Sequence, residues 1–164
     1  MTNDKPKNGF ALIESVVGVL VASALMVSFV SLAIHSKKIT RYNNASLKAN
    51  LYLREMVEAA KDLEVSNWPE LKISCGTVNP CHPSIVSGKW VILSGQESLD
   101  SGQFDRYVVV SQVCRNQLGF PNEIQPCDGV NPVDPNTKNV KATVKWTQGA
   151  EQREMNLEAM VFNL

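Results

Sequence analysis

The sequence of 164 residues lacks an excess of charge of either sign, because its 16 basic side chains balance its 16 acidic ones. This balance argues against a nucleic-acid-binding protein that works through bulk positive charge. Charge is almost absent from one stretch, since residues 10–34 contain Glu14 as their single charged residue and no proline. The near-average composition, with 44% hydrophobic and 20% charged residues, therefore combines an apolar segment with a polar remainder and excludes wholesale disorder.

Residues 10–34 predict a membrane-spanning helix, since that length spans roughly 37 Å at about 1.5 Å per residue. Lys5 and Lys7 precede it and favour a cytoplasmic amino end, although a basic cluster that follows it weakens this assignment. A plain signal anchor would explain the length but not Glu14. A cleaved secretory signal would fit Ala22-Ser23-Ala24, but the apolar run continues well beyond that point.

Glu14 is the informative residue of this segment. A carboxylate within a membrane span costs about 2.5 kcal/mol near the centre and somewhat less towards an end. If the chain were cut after Gly9, Phe10 would carry a new amino terminus one helical turn, or about 6 Å, from residue 14. That amine could neutralise Glu14 in the same chain or in a neighbour shifted along the helix axis. If the Glu14 carboxylate is neutralised by the amine of a neighbouring copy, its role is in the assembly of several copies.

The run Gly9-Phe10-Ala11-Leu12-Ile13-Glu14, after a short basic leader and before a long apolar helix, resembles the class III signal of type IV prepilins. Type II secretion pseudopilins and DNA-uptake pilins share this signal. The resemblance implies cleavage between Gly9 and Phe10 by a membrane aspartic peptidase, N-methylation of Phe10, and a role for Glu14 in methylation and subunit docking. It implies as partners the prepilin peptidase/methyltransferase, other major and minor pilins through the N-terminal helix, the inner-membrane assembly platform and the lipid bilayer.

The function implied is that of a minor type IV pilin, assembled into or at the tip of a pilus that serves biogenesis, adhesion, twitching motility or DNA uptake. Such a chain would cross the bacterial inner membrane once, with a cytoplasmic N-terminus and a periplasm-facing head, and would become extracellular after assembly. Two alternatives stay open. One is a type II secretion pseudopilin, and the other is a single-pass membrane-anchored sensor or enzyme domain whose Glu14 pairs within its own membrane helix.

The membrane segment departs from the family pattern at Ser31, where many major pilins carry a helix-kinking proline. Without that proline, local melting of the helix has less reason to occur. Gly18, Ser23, Ser28 and Ser31 are small enough for close helix packing, but we favour the simpler interpretation that the serine hydroxyls bond back to helix carbonyls.

An apolar stripe predicts that the helix continues beyond the membrane. It consists of Tyr42, Ser46, Ala49, Leu53, Met56, Ala60 and Leu63, at steps of three and four residues. We expect this stripe to cover the sheet of the same chain and Trp68-Pro69 to end the helix. The predicted organisation is a leader peptide at 1–9, a transmembrane and filament-core helix at 10–34, an amphipathic continuation at 35–66 and a β-rich globular head at 67–164.

Alternating and β-branched runs predict strands in the head. Residues 89–94 and 106–113 are two of them, and residues 140–146 and 154–161 form a hairpin that turns at Gly149. Three or four antiparallel strands with one apolar face would pack on the helix stripe. The predicted fold class is therefore α+β, with a long N-terminal helix on a small antiparallel sheet as in the pilin roll.

The carboxy-terminal half shows a second, weaker resemblance. It is similar to minor pilins of the type IV pilus modification kind in three segments, which are Phe104-Asp105-Arg106-Tyr107 before a valine strand, residues 134–140, and Val144-Lys145-Trp146. Asp134-Pro135 is expected to form a turn before its strand.

The four cysteines, Cys75, Cys81, Cys114 and Cys127, all follow the membrane segment. An even count in a translocated domain favours disulfides. Of the three connectivities that four cysteines allow, we favour the local pairs Cys75–Cys81 and Cys114–Cys127, which would close loops that have no core of their own. Zinc bound with His82 is the alternative, but neither spacing is that of a zinc knuckle.

No feature of the sequence indicates catalysis or a cofactor. The histidines are not placed to serve as a base for a nucleophile, and nucleotide-binding and metalloprotease motifs are absent from the sequence. The loop acids Asp100, Asp105, Glu123, Asp128 and Asp134 could include a carboxylate pair or a calcium site, but solvated loop acids are far commoner. We therefore predict no enzyme activity, no cofactor and no metal.

Overall fold

A computed structural model of the chain describes residues 8–71, 75–116, 124–127, 129 and 131–163. Its first element is the helix α1, Asn8–Ser66, which is continuous over 59 residues. A short 3₁₀ turn, Trp68–Glu70, follows it and contains Pro69. Because proline has no backbone N–H to continue the helical ladder, the predicted stop at Trp68-Pro69 is confirmed.

The chain forms two compact units that divide within α1, the first ending at Asn44 and the second beginning at Ala45. In the first unit, every described side chain from Leu12 onwards is exposed. α1 is the one helix in the described part of the chain that is long and apolar enough to cross a membrane. This first part of α1 is thus compatible with a membrane anchor.

The second unit is built on a sheet of seven strands, more than the three or four predicted. The strands are β1 Cys81–Val86, β2 Lys89–Ser94, β3 Glu97–Leu99, β4 Phe104–Arg115, β5 Ile124–Pro126, β6 Val133–Gln148 and β7 Glu151–Phe162. Every pairing is antiparallel, and the main order is β2-β1-β4-β6-β7, with β3 and β5 also pairing with β4.

The second part of α1 packs on one face of this sheet, which we call the inner face. The helix contributes Ala49, Leu53, Met56, Ala60 and Leu63, each at most 2% exposed. The sheet contributes alternate residues of its two central strands, which are Phe104, Val108 and Val110 of β4 and Val140, Ala142, Val144 and Trp146 of β6. The α+β prediction and the expected role of the helix stripe are both confirmed, although Tyr42 at the start of that stripe is exposed.

Two polar clusters also fasten α1 to the β3–β4 hairpin. The buried guanidinium of Arg106 lies 3.0 Å from Glu55 of α1 and 2.6 Å from Glu97 of β3. In the turn, Asp100 accepts hydrogen bonds from Lys48 Nζ at 2.9 Å and from the Tyr52 hydroxyl at 3.1 Å. Both hydrogen bonds lower the pKa of Asp100, and the bond from Lys48 has the larger effect.

The predicted turn at Asp134-Pro135 is wrong, because both residues lie inside β6. They lie at an irregularity in the pairing of β6 with β4. Val133 pairs with Cys114 and Lys138 pairs with Gln112, so β6 has more residues than β4 between these two pairs. The Asp134 carboxylate accepts the Asn136 N–H at 2.9 Å, which is a local Asx turn. The turn chemistry is therefore present, but it makes a bulge within the strand rather than a turn before it.

The predicted hairpin at the carboxyl end is confirmed. β6 and β7 pair from Thr137↔Phe162 to Gln148↔Glu151. Gly149 occupies the turn with a positive φ of 65°, a conformation that glycine adopts without steric cost.

Candidate functional site

The candidate site is the amino-terminal part of α1, where the proposed cleavage and docking residues lie. The backbone of Gly9 and Phe10 belongs to the first turns of α1, and Glu14 follows on the same continuous helix. The leader residues 1–7 lie outside the described residues. Cleavage and methylation at Gly9 and Phe10 stay predictions.

Glu14 is an exposed carboxylate on an otherwise apolar surface. Its neighbours Leu12, Ile13, Val16 and Val17 expose between 53% and 69% of their surface. No salt bridge to Glu14 is formed by the residues that the structure describes. Within the described chain, this acid therefore has no cation to offset its charge.

The rest of the first unit continues this uncovered apolar surface. Large side chains such as Met26, Val27 and Phe29 each expose at least 70% of their surface. Apolar area of this extent normally requires lipid or protein contact, since each Å² left in water forgoes about 25 cal/mol. This exposed apolar surface is compatible with a membrane anchor.

Two serines in this segment, Ser23 and Ser28, bond to their own helix. Ser23 Oγ donates to the Leu20 carbonyl and Ser28 Oγ donates to the Ala24 carbonyl, both at 2.9 Å. The simpler interpretation is confirmed for Ser23 and Ser28, since their hydroxyls are satisfied within the helix. Gly18 leaves open space above its Cα, and α1 continues as helix through Ser31.

All four cysteines form the predicted local disulfides, Cys75–Cys81 and Cys114–Cys127. The zinc alternative needs thiolates, and these sulfurs are already bonded to one another. His82 instead places Nδ1 3.0 Å from the Gly95 carbonyl oxygen. The first bridge closes the loop that leads into β1, and the second closes the loop that follows β4. Both bridges therefore stabilise loops of the head rather than the helix.

The described loop acids are engaged with polar neighbours rather than gathered at one point. Asp100 binds Lys48 and Tyr52, Asp105 accepts a hydrogen bond from Ser98, and Asp134 binds Arg115. Glu123 and Asp128 lie outside the described residues. Among the described residues, no group of three or more histidines, cysteines and acids is arranged to hold a metal ion.

Asp134 sits in the most highly connected of these clusters, which the sequence did not predict. Its side chain is 8% exposed and lies 2.5 Å from Arg115 Nε, while the Thr137 hydroxyl donates to it at 2.7 Å. The hydrogen bonds from Thr137 and then Arg115 lower the pKa of Asp134. This cluster fixes the β6 bulge against the end of β4.

The head also has a groove of about 600 Å³ beside the second disulfide, formed where β4, β5, β6 and β7 meet. Ser111, Gln125 and Asn139 line it with neutral polar groups, and its acid, Glu158, is paired with Lys141 at 3.1 Å. These described lining residues offer hydrogen bonds rather than acid–base chemistry.

No family model, curated protein or solved structure matches this chain.

Proposed function

We propose that this chain is a minor type IV pilin. In this proposal it is inserted in the inner membrane through the first part of α1, cut between Gly9 and Phe10, N-methylated on Phe10, and assembled into or at the tip of a pilus. The head faces the periplasm before assembly and the exterior afterwards. The partners are the prepilin peptidase/methyltransferase, the assembly platform and the helices of other pilins.

The observation that carries the proposal is Glu14, an exposed acid on an uncovered apolar helix, to which the described residues bring no cation. A permanent anchor gains nothing from such a residue, because insertion of a carboxylate is costly and lipid cannot neutralise it. Cleavage after Gly9 creates an amine one turn away, and docking against another cut copy brings that amine within reach of the acid. The charge then favours the assembled state over the isolated subunit.

The architecture of α1 supports the same function. Its second part is committed to the sheet of the head, with Leu53 and Met56 fully buried. Its first part has no such sheet to cover it and is free to contact lipid before assembly and other helices after it. A subunit that moves from a bilayer into a filament needs both properties.

The remaining candidate within the superfamily is a type II secretion pseudopilin, which would use the same amino-terminal chemistry. A membrane-anchored sensor or enzyme domain would retain the leader and would place no requirement on Gly9. Processing therefore separates the superfamily from the anchored protein, and the filament in which the cut chain is found separates pilin from pseudopilin.

The test is the mass of the amino-terminal peptide from full-length chain co-expressed with a prepilin peptidase. We expect a peptide that begins at Phe10 and carries one additional methyl group. The Gly9→Val variant should keep the leader, because a branched side chain does not fit a pocket that admits glycine. Gly18→Val is the matched control, since a side chain added there meets nothing within 4 Å, and it should be processed normally. A native chain that keeps Met1 would refute the proposal.

A further inference from the structure

The main strand order ends at β2 and β7, and neither pairs with a second strand within the described ranges. β3 and β5 also pair with β4 alone, but each has only three residues. An edge strand presents a row of unpaired N–H and C=O groups that can accept another strand. Natural edge strands are usually guarded by charges, prolines or bulges. The side chains of β2 and β7 therefore decide what these edges accept.

β2 is an unguarded edge. Its residues 90–93 are all apolar, and Lys89 at its start is its one charged residue. Trp90 and Ile92 share the inner face with the core, and Ile92 is buried. On the opposite, outer face, Leu93 is 43% exposed. A strand that pairs with β2 needs an apolar inner face and an acid opposite Lys89.

β7 meets both requirements. Met155 packs at the border of the core, and Leu157, two residues further on the same face, is 39% exposed. The outer face of β7 carries Glu154, Asn156 and Glu158, all exposed. Over residues 154–158, β7 thus has an apolar inner face and two acids on its outer face, whereas Arg153, the preceding inner-face residue, is charged.

The direction of the strands fixes how the two edges can meet. β2 is antiparallel to β1, β1 to β4, β4 to β6 and β6 to β7, so β2 and β7 run in the same direction. When one copy is set beside another with the inner faces on the same side, β2 and β7 lie next to each other in parallel. Pairing Trp90 with Met155 and Ile92 with Leu157 then brings Lys89 beside Glu154.

We propose that β2 is a docking edge for β7 of a second copy of this chain, in parallel and in this register. The contact joins main-chain groups, continues the apolar inner face and pairs Lys89 with Glu154 of the second copy. It uses two different edges of the molecule, so it is heterologous and extends into an open row rather than closing as a dimer. All copies in such a row point the same way, as copies anchored in one membrane do.

Symmetric pairing of either edge with itself satisfies the side chains less well. A β7–β7 pair centred on Asn156 sets Glu154 against Glu158 of the other copy, and like charges directly opposite are destabilising. A β2–β2 pair centred on Val91 sets Lys89 against Leu93. The two-edge pairing avoids the like-charge pair and gives Lys89 an acid, Glu154, as its neighbour, although it places Glu158 beside Leu93.

Cysteine cross-linking in membranes that contain two differently tagged full-length copies tests this contact. One copy carries Lys89→Cys and the other Glu154→Cys, both at exposed sites. The control replaces Lys89→Cys by Val86→Cys, which pairs directly with Lys89 in the β1–β2 hairpin but lies one strand further from the edge. We expect about tenfold more mixed disulfide with residue 89, because a disulfide needs Cβ atoms roughly 4 Å apart and one strand adds about 4.8 Å.

A second pair, Val91→Cys with Asn156→Cys, tests the register one step along the same face and should also cross-link. Peptide mapping of Cys75–Cys81 and Cys114–Cys127 shows whether each variant keeps its native bridges. Three outcomes would overturn the proposal. They are equal cross-linking of Glu154→Cys to residues 86 and 89, cross-linking of Val91→Cys to itself, and no cross-linking of either Lys89→Cys with Glu154→Cys or Val91→Cys with Asn156→Cys. These outcomes do not depend on cleavage after Gly9, so this proposal and the pilin proposal fail separately.

Discussion

At the scale of single residues, Asp134 shows how a bulge in a strand is held. The carboxylate is nearly buried and accepts bonds from Arg115, Asn136 and Thr137. Asp134→Ala should lower the free energy of unfolding of the head by about 1–3 kcal/mol, because it removes the acceptor of the buried Thr137 hydroxyl and of the partly buried Arg115 guanidinium. Urea titration followed by tryptophan fluorescence measures this, since all three tryptophans, Trp68, Trp90 and Trp146, lie in the second unit. Asp62→Ala is the control, because Asp62 is exposed and has one long contact, 3.5 Å from Ser66.

The same residue predicts a dependence on pH. The pKa of Asp134 is lowered in the folded chain, so its contribution is fully present above the unfolded value of about 3.9. It is lost as the pH falls through the lower, folded value. Between pH 6 and pH 2 the wild-type head should lose more stability than Asp134→Asn, as measured by thermal unfolding at each pH. If stability fell equally with pH in wild type and in Asp134→Asn, the Asp134 carboxylate would not contribute to the pH dependence of stability.

At the scale of elements, the packing of α1 on the sheet forms the hydrophobic core of the head. Leu53 and Leu51 lie on the same helix and differ in burial, at 1% and 55% exposed. Leu53→Ala should destabilise the head by about 3 kcal/mol through lost burial and a cavity, whereas Leu51→Ala should change it by less than about 1 kcal/mol. The tryptophan-monitored urea midpoint compares the two substitutions, and equal shifts would contradict the packing described.

The elements also show which parts of the fold the sequence could predict. Runs rich in β-branched and aromatic residues predicted β2 and β4. Alternating runs predicted the β6–β7 hairpin, because one buried face imposes a period of two. β1 was missed because Pro83 is typical of loops. The proline is tolerated because β1 pairs with β4 at Cys81↔Val108 alone. The side of β1 that faces β4 therefore has no strand pairing at Pro83 that a missing N–H would disrupt.

The shortest strands and the polar contacts were beyond the reach of sequence patterns. β3 and β5 have three residues each, too few to show a period. The Asp134 cluster joins residues from two strands, and the acid opposite Arg115 can be identified only once β4 and β6 are in register. The candidate amino-terminal site was predicted from its motif because its residues are local in sequence and lie on one helix.

At the scale of the whole molecule, the zero net charge conceals two units with different surroundings. The first unit exposes an apolar helix that bears one acid, and the second is a self-sufficient α+β head with its own core and two disulfides. A change in the first unit should therefore affect assembly without affecting the stability of the head. This separation makes the proposed assembly role of Glu14 measurable in the intact chain.

Glu14→Ala should leave membrane insertion and head stability unchanged but reduce incorporation into filaments by about tenfold or more, a factor equivalent to ~1.4 kcal/mol. The physical reason is that the amine of a cut neighbour loses the acid that neutralises it in a low-dielectric helix core. Immunoblots of sheared filaments and of membranes measure the two pools, and tryptophan-monitored urea titration verifies the head. Ser23→Ala is the matched control, since the Ser23 hydroxyl bonds to its own helix and its loss should leave incorporation unchanged. Wild-type amounts of Glu14→Ala in filaments would show that the acid has no part in docking.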